Sequence, residues 1–457
     1  MRRARKLQRR QRRANKRQRR ACRRNQLKTW LDCVRHFLTS HFWRVAHRAA
    51  GQFMGVRWKL LPLLMVAMIS MLCQPKAEKD RFEVAREYYV AMYPHRKRPG
   101  KTHDGFLEAL ARLPRLFFKA VLPVLRQRTA VVLKHVWTVD GWIPFGVDGS
   151  RLALSRYAAL ERHFGTAGTG DFPHLWITSI IHLATGVPWS WRFGRSDASE
   201  RHQFCHLVPT LPERALLMAD AGFVGYEVWE TLLKHQRHFL IRLGSNVQLY
   251  ADYKVEADFT SGQVYLWPLS KPQKKPLQLR LLRLPAQGNC KHDVWLATNT
   301  TAEELSQETA GKMFRLRWQH EVFYRSYKCT LNKTKLSSRT TRQVIREAEL
   351  AMMAVQLFTA QAAWAVGEKN ATKKASCAEA LRQVHREWRY LLKRGRMQQR
   401  FLERLGQACR EHRPKRTSAK NYRGWPRKRQ HKAPGKPRID EYPEELKARL
   451  RKEDMAA

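Results

Sequence analysis

Three carboxylates and one basic strip are the parts of this chain best suited to chemistry. The strip is "RLRWQHEVFYRSYK", residues 315 to 328, where Glu321 stands among Arg317, Arg325 and Lys328. At helical spacing these four share one face of a helix. Leu316, Phe323 and Tyr327 take a different, apolar face. Taken alone, Glu321 reads as a surface acid paired with Arg317 and Arg325, worth about 0.2–0.5 kcal/mol per pair. Two further acids bear on that reading. Asp148 follows "IPFGV" and Asp220 follows "ALLMA", each at the expected end of an apolar strand. Each alone is also an ordinary feature: an Asp-Gly turn in "VDGS", or a strand-to-helix cap in "ADAGF". Seventeen carboxylates run from Asp148 to Glu321, so residue type alone singles out none. Order and setting carry the weight: strand-end acid, strand-end acid, then a helical acid after further strands. Three clustered carboxylates repel one another unless cations neutralise them, and hard divalent cations prefer oxygen ligands. Two such ions about 3.5–4 Å apart suit in-line displacement at phosphorus.

Charge points the same way. The chain has 457 residues, with 88 Lys and Arg against 38 Asp and Glu, a net charge of +50. An excess of that size favours polyanion binding, nucleic acid above all. The opening "MRRARKLQRRQRRANKRQRRACRRNQ" contains no acid. The tail from about 384, with "EHRPKRTSAKNYRGWPRKRQHKAPGKPR", is also strongly basic. Both ends read as solvated, partly disordered arms that raise affinity without reading sequence. The eight cysteines lack zinc spacing, which argues against a zinc finger or a disulfide framework and fits a reducing cytosol. The apolar run "LLPLLMVAMISMLC" (60–73) holds 14 residues and Pro62. A spanning helix needs roughly 20 apolar residues, so the run reads as a buried helix and no membrane is expected.

The elements that would position the acids follow from periodicity. Residues 28 to about 135 read mostly as helices joined by basic links such as "HRKRPGKTHDGF". Near 136 the pattern turns to short β-branched and aromatic runs, with a hairpin at Thr185-Gly186. "RALLMADAGF" reads as a buried strand ending in a turn, "VGYEVWETLLKHQ" as a helix and "RHFLIRLG" as a strand. Four more strands fill 245 to 300. Then "TAEELSQETAGKMFRLRWQHEVFYRSYK" reads as helical, and "RQVIREAELAMMAVQLFTAQAAWAV" as a long apolar helix.

On these residues the chain resembles the DDE-type transposases of prokaryotic insertion sequences, in the branch with the Tyr-x2-Arg-x3-Glu-x6-Lys signature. Arg317, Glu321 and Lys328 sit at that branch's intervals, and its Tyr position holds Phe314. "FGVDGSRL" and "LLMADAGFVGYEVWETL" resemble the two aspartate blocks. The likeness spans about 140 to 360. It implies an α/β protein with an RNase H-like catalytic core, interrupted by a β-rich insertion before the last catalytic helix and flanked by helical regions. The expected division is a basic arm (1–27), a helical DNA-binding region (28–135), the first part of the core (136–244), the insertion (245–300), the last core helices (301–383) and a basic C-terminal region (384–457).

The resemblance further implies Mg²⁺, with Mn²⁺ as a substitute, held by Asp148, Asp220 and Glu321. It implies cleavage at the element's ends and attack of the freed 3′-hydroxyl on target DNA. Arg317, Lys328 and Arg325 would hold phosphates. The implied partner is double-stranded DNA, bound by a homodimer, in the cytoplasm at the nucleoid. Phe314 lacks the hydroxyl that Tyr would offer a phosphate. Trp267 or Trp295 of the insertion could stack on a displaced base, or could simply pack its core. An inactive DNA-binding remnant and a nuclease that only cuts are the competing functions.

Overall fold

The computed structural model describes residues 29–51, 57–166, 170, 172–256, 258–268, 270–271, 273–286, 292–367, 375–393, 399–410 and 435–454. The arm at 1–27 and the tail segment 411–434 lie outside them. The chain forms two compact units, Met1–Trp137 with Arg325–Glu411, and Thr138–Tyr324 with His412–Ala457.

The first unit is helical: α1 (Trp30–Phe37), α2 (Ser40–Ala50), α3 (Leu60–Leu72), α4 (Glu78–Met92), α5 (His103–Arg112) and α6 (Phe117–Val132), then α12 (Thr341–Gly367), α13 (Cys377–Leu392) and α14 (Phe401–Arg410). Local sequence sets their ends. Thr29 and Asp32 form a reciprocal capping box at the start of α1, which satisfies two of its free N–H groups. Helix α3 is apolar on every side, and all of it but Leu61 is buried, as such a helix requires. Helix α12 is long and apolar enough to cross a membrane by length and composition, yet 89% of its apolar window is buried inside the protein. It packs against α3 and α14.

The reading of the tail from 384 as a solvated arm needs correction. Helix α13 buries Leu381, Val384 and Trp388, and α14 buries Leu402, Leu405 and Cys409. These apolar residues recur at helical spacing beneath a heavily basic composition, and burial follows the spacing. Further on, residues 438–441 form a strand and 444–454 a helix.

The second unit is built on one ten-stranded sheet in the order β10-β6-β7-β8-β9-β5-β4-β1-β2-β3. Its strands are β1 (Ile143–Ala153), β2 (His174–His182), β3 (Val187–Gly194), β4 (Ala215–Ala219), β5 (His238–Arg242), β6 (Gln248–Ala251), β7 (Ser261–Leu266), β8 (Leu277–Leu284), β9 (Val294–Thr298) and β10 (Arg438–Glu441). Strands β1, β4 and β5 run parallel, and β2 runs antiparallel to both β1 and β3. That 3-2-1-4-5 arrangement is the RNase H-like core. Strand β4, "ALLMA", is buried throughout, as parallel strands covered on both faces must be. Helices α7 (Ala158–Phe164), α8 (Glu200–Cys205) and α9 (Tyr226–Lys234) connect these strands. Gly186, at φ +71, turns the β2–β3 hairpin.

Strands β6 to β9 extend the core sheet beyond β5, through an antiparallel β5–β9 pairing. Strand β10 then lies parallel to β6 at the edge, which caps an otherwise open row of backbone groups. Leu446 of α15 (Glu444–Asp454) packs there against Tyr250 and Trp267.

The strip at 315–328 is not one continuous helix. It comprises the end of α10 (Gln307–Leu316), then α11 (Trp318–Arg325), then a π-helical turn at Ser326–Thr330. A π turn takes more residues per revolution than an α turn. The regular α spacing from Arg317 through Glu321 and Arg325 to Lys328 is therefore interrupted.

Candidate active site

Strand register brings Asp148 and Asp220 to the same end of the β1–β4 pair. Ile143 pairs with Ala215 and Gly146 with Met218 across parallel β1 and β4. That pairing ends two residues before each acid, Gly146 before Asp148 and Met218 before Asp220. Asp220 follows the last residue of β4. Asp148, expected at a strand end, instead lies inside β1, because β1 continues along β2 as far as Ala153 after β4 has turned away. The point where the parallel pairing stops is where the two acids emerge. Glu321 comes from α11, with its Oε1 3.5 Å from a guanidinium nitrogen of Arg317.

The neighbouring acids act on Asp148. Burial pushes the Asp148 carboxyl up to about 6; Asp220 and Glu321 add to the shift, while the Gly149 N–H and Arg317 oppose it. A fourth acid, Glu200 at the start of α8, is pushed up to about 8 by burial and then by Asp148 and Asp220. Each aspartate also has a local donor. Asp148 Oδ1 accepts from the Gly149 N–H at 2.8 Å, and Asp220 Oδ1 from the Gly222 N–H at 2.9 Å. Among the described residues, no three His, Cys, Asp or Glu side chains stand close enough, as they are turned here, to hold one metal ion. The donor set is nonetheless all oxygen and mutually repelling, which suits a hard divalent cation.

A buried relay ties the Glu321 helix to the Asp148 strand. Tyr324 Oη donates to the backbone carbonyl of Asp148 at 3.0 Å and lies 2.9 Å from Ser179 Oγ. Ser179 Oγ is 3.0 Å from His320 Nε2. With Tyr324 donating to Asp148, each group has one proton to give if His320 Nε2–H donates to Ser179 and Ser179 to Tyr324. The imidazole in this relay is kept neutral, since burial, with Arg317 nearby, presses the His320 pKa down to about 3.

The basic residues divide between the units. Arg317 stands beside Glu321, its guanidinium 5.8 Å from the Phe314 ring centre. Exposed Arg325 and half-buried Lys328 belong to the helical unit. Trp267 is 4% exposed and donates its Nε1–H to the Lys274 carbonyl. Trp295 is buried and stacks on Phe259. Both pack the sheet and offer no open face. Trp318, one turn before Glu321, is 56% exposed and has the open ring that a base could stack on. Trp318 and Glu200 escape a sequence reading, because neither has a distinguishing neighbour or interval.

Residues 152–357 match the family model described as the transposase DDE domain. The match takes in Asp220, Arg317, Glu321, Arg325 and Lys328, and begins just past Asp148. No curated protein matches the chain. Among solved structures, seven chains match. One is the piggyBac transposase synaptic complex with hairpin DNA, at 12% identity and a TM-score of 0.40, covering 80% of this chain and 81% of that one. A likeness that loose bears on neither fold nor function. It is the stretch carrying Asp220 and Glu321 that is similar to a transposase DDE domain.

Proposed function

We propose that the protein is a DNA transposase of the DDE type, of the insertion-sequence branch with the Tyr-x2-Arg-x3-Glu-x6-Lys signature. It cuts the ends of a DNA element and joins the freed 3′-hydroxyl to target DNA. The observation that carries this reading is geometric: parallel β1 and β4 lead towards Asp148 and Asp220, and Tyr324 fastens the helix of Glu321 to the Asp148 strand, with Arg317 beside Glu321. The domain match from 152 to 357 and the net charge of +50 support it.

Asp148, Asp220 and Glu321 are the residues that would hold Mg²⁺ or Mn²⁺. When bound, the ions supply activation of the attacking oxygen and charge stabilisation at the leaving one. Arg317 is suited to grip a phosphate beside the cut through its planar donor fork, and Arg325 and Lys328 to hold the backbone nearby. In the first step water attacks phosphorus, the bond to the 3′ oxygen breaks, and that oxygen leaves as a hydroxyl. In the second step that hydroxyl attacks a target phosphate: its oxygen bonds to phosphorus, the bond from that phosphorus to the target's own 3′ oxygen breaks, and the released oxygen leaves as a hydroxyl. We assign duplex holding to the helical region 28–135 and the basic arm 1–27, and the insertion to 245–300. Two ends must be joined in one event, so a homodimer on DNA is the expected assembly.

The test incubates the full chain with Mg²⁺, a duplex bearing the element's own end and a target plasmid. Covalent 3′-end joining is the expected product. Cut ends without joining would identify a nuclease, and binding without cutting an inactive remnant.

A further inference from the structure

Glu200 is absent from the triad, yet its surroundings make little sense without a positive charge. It opens α8 soon after β3 and lies against β1 beside Asp148. A Cβ placed on Gly149 would come within 2.9 Å of Glu200 Cδ and would also strike the Trp176 ring. Only glycine at 149 lets the carboxylate approach this closely. Glu200 Oε1 is buried and has no hydrogen-bond partner, a situation that is costly for a neutral acceptor and more so for a charged one. Among the described residues no ion pair relieves it. The adjacent Arg201 turns elsewhere and donates its Nε–H to the Gly222 carbonyl at 2.6 Å. The charges that act most strongly on Glu200 are those of Asp148 and Asp220. A buried carboxylate oxygen without a partner, packed on the strand of Asp148, with Arg201 acting on it from a side chain hydrogen-bonded elsewhere, is a group that a cation would satisfy.

We propose that Glu200 is a fourth carboxylate of the candidate site, taking up a divalent cation together with Asp148 and Asp220. This rests on the reading of Asp148 and Asp220 as metal ligands. Strand β1 supplies Asp148, β4 leads into Asp220, and α8 brings Glu200 across Gly149. Glu321 approaches from α11. The site then has four oxygen-bearing side chains to share between two ions, which leaves fewer coordination positions to water and substrate.

The test is Mn²⁺ binding by the full chain, read from the paramagnetic resonance of free Mn²⁺ and from melting temperature with and without the ion. Four proteins are compared: wild type, Glu200→Gln, Glu200→Asp and Asp148→Asn. Glu200→Gln is expected to weaken Mn²⁺ binding at least tenfold, or to lose one bound ion. It should melt at or above the wild-type temperature without metal, because an unanswered carboxylate has gone, and gain less when Mn²⁺ is added. Glu200→Asp should recover part of the binding. If Asp148→Asn loses Mn²⁺ while Glu200→Gln binds it as wild type does, Glu200 is outside the cluster and the inference falls alone. If wild type takes up no Mn²⁺, or Asp148→Asn binds it undiminished, the reading of the site falls and this inference with it.

Discussion

The hydroxyl of Tyr324, on the helix that carries Glu321, donates to the main-chain carbonyl of Asp148 at 3.0 Å. One acid's helix is thereby fastened to another acid's strand through the backbone, without using either carboxylate. Tyr324→Phe removes this bond and one contact of Ser179 while keeping the ring. The fold should survive at a cost of about 1 kcal/mol, a drop of roughly 2–4 °C in melting temperature. The informative change is in the metal requirement: the Mg²⁺ concentration for half-maximal cleavage should rise several-fold. An unchanged requirement beside a lowered melting temperature would reduce the relay to a structural tie.

Glu321→Gln separates the chemical reading of Glu321 from the bland one. The side chain is 41% exposed and 3.5 Å from Arg317, and such a pair is worth a few tenths of a kcal/mol. Gln keeps nearly the same shape, so folding and DNA binding should persist. It lacks the charge needed beside a divalent cation, so strand cleavage in Mg²⁺ should be lost. Undiminished cleavage by the variant would return Glu321 to the role of a helix-surface acid.

Which features could be foreseen depended on where the physical signal resides. "ALLMA" of β4 and the "FLI" inside β5 are continuous apolar runs, and both are buried in parallel strands. Asp148 lies inside a strand rather than at its end because pairing with β2 carries β1 onward through a polar stretch, and pairing partners are not written in a local window. The π turn after Arg325 is a slip in hydrogen-bond register that residue composition does not mark. Glu200 is one carboxylate among seventeen, and only the fold brings it against Gly149. In α13, charge concealed an amphipathic helix whose Trp388 is fully buried.

The helical unit should show a pH signature from Glu78. Burial raises its carboxyl from 4.5 to about 7; Glu347 adds to the shift, while Arg81, Arg339 and Lys333 oppose it. Between those two values the folded chain holds a proton that the unfolded chain has released. Stability from this group therefore falls as pH rises through the window. Glu78→Gln has no such dependence. Its melting temperature relative to wild type should climb from pH 4.5 to above 7 and then level off. A relative fall over the same range would mean that Glu78 works as the charged partner of Arg81.

DNA binding should be steeply dependent on salt and mostly indifferent to sequence. The net charge is +50, and residues 1–26 alone contain fourteen Lys and Arg and no acid. Each phosphate neutralised on duplex DNA releases counterions and contributes about 0.9 to the slope of log affinity against log salt. Deleting residues 1–26 should therefore weaken binding to every duplex by a similar factor and flatten that slope. Discrimination between the element's end and unrelated DNA should be unchanged, because charge contacts with phosphates carry no base information. The decisive measurement is a salt series on both duplexes, full chain beside truncation. Parallel loss on the two duplexes with a shallower slope fits an arm that binds backbone. Loss confined to the element's end, with bulk affinity and slope intact, would mean the arm reads bases, and sequence recognition would then have to be assigned to it rather than to the folded units.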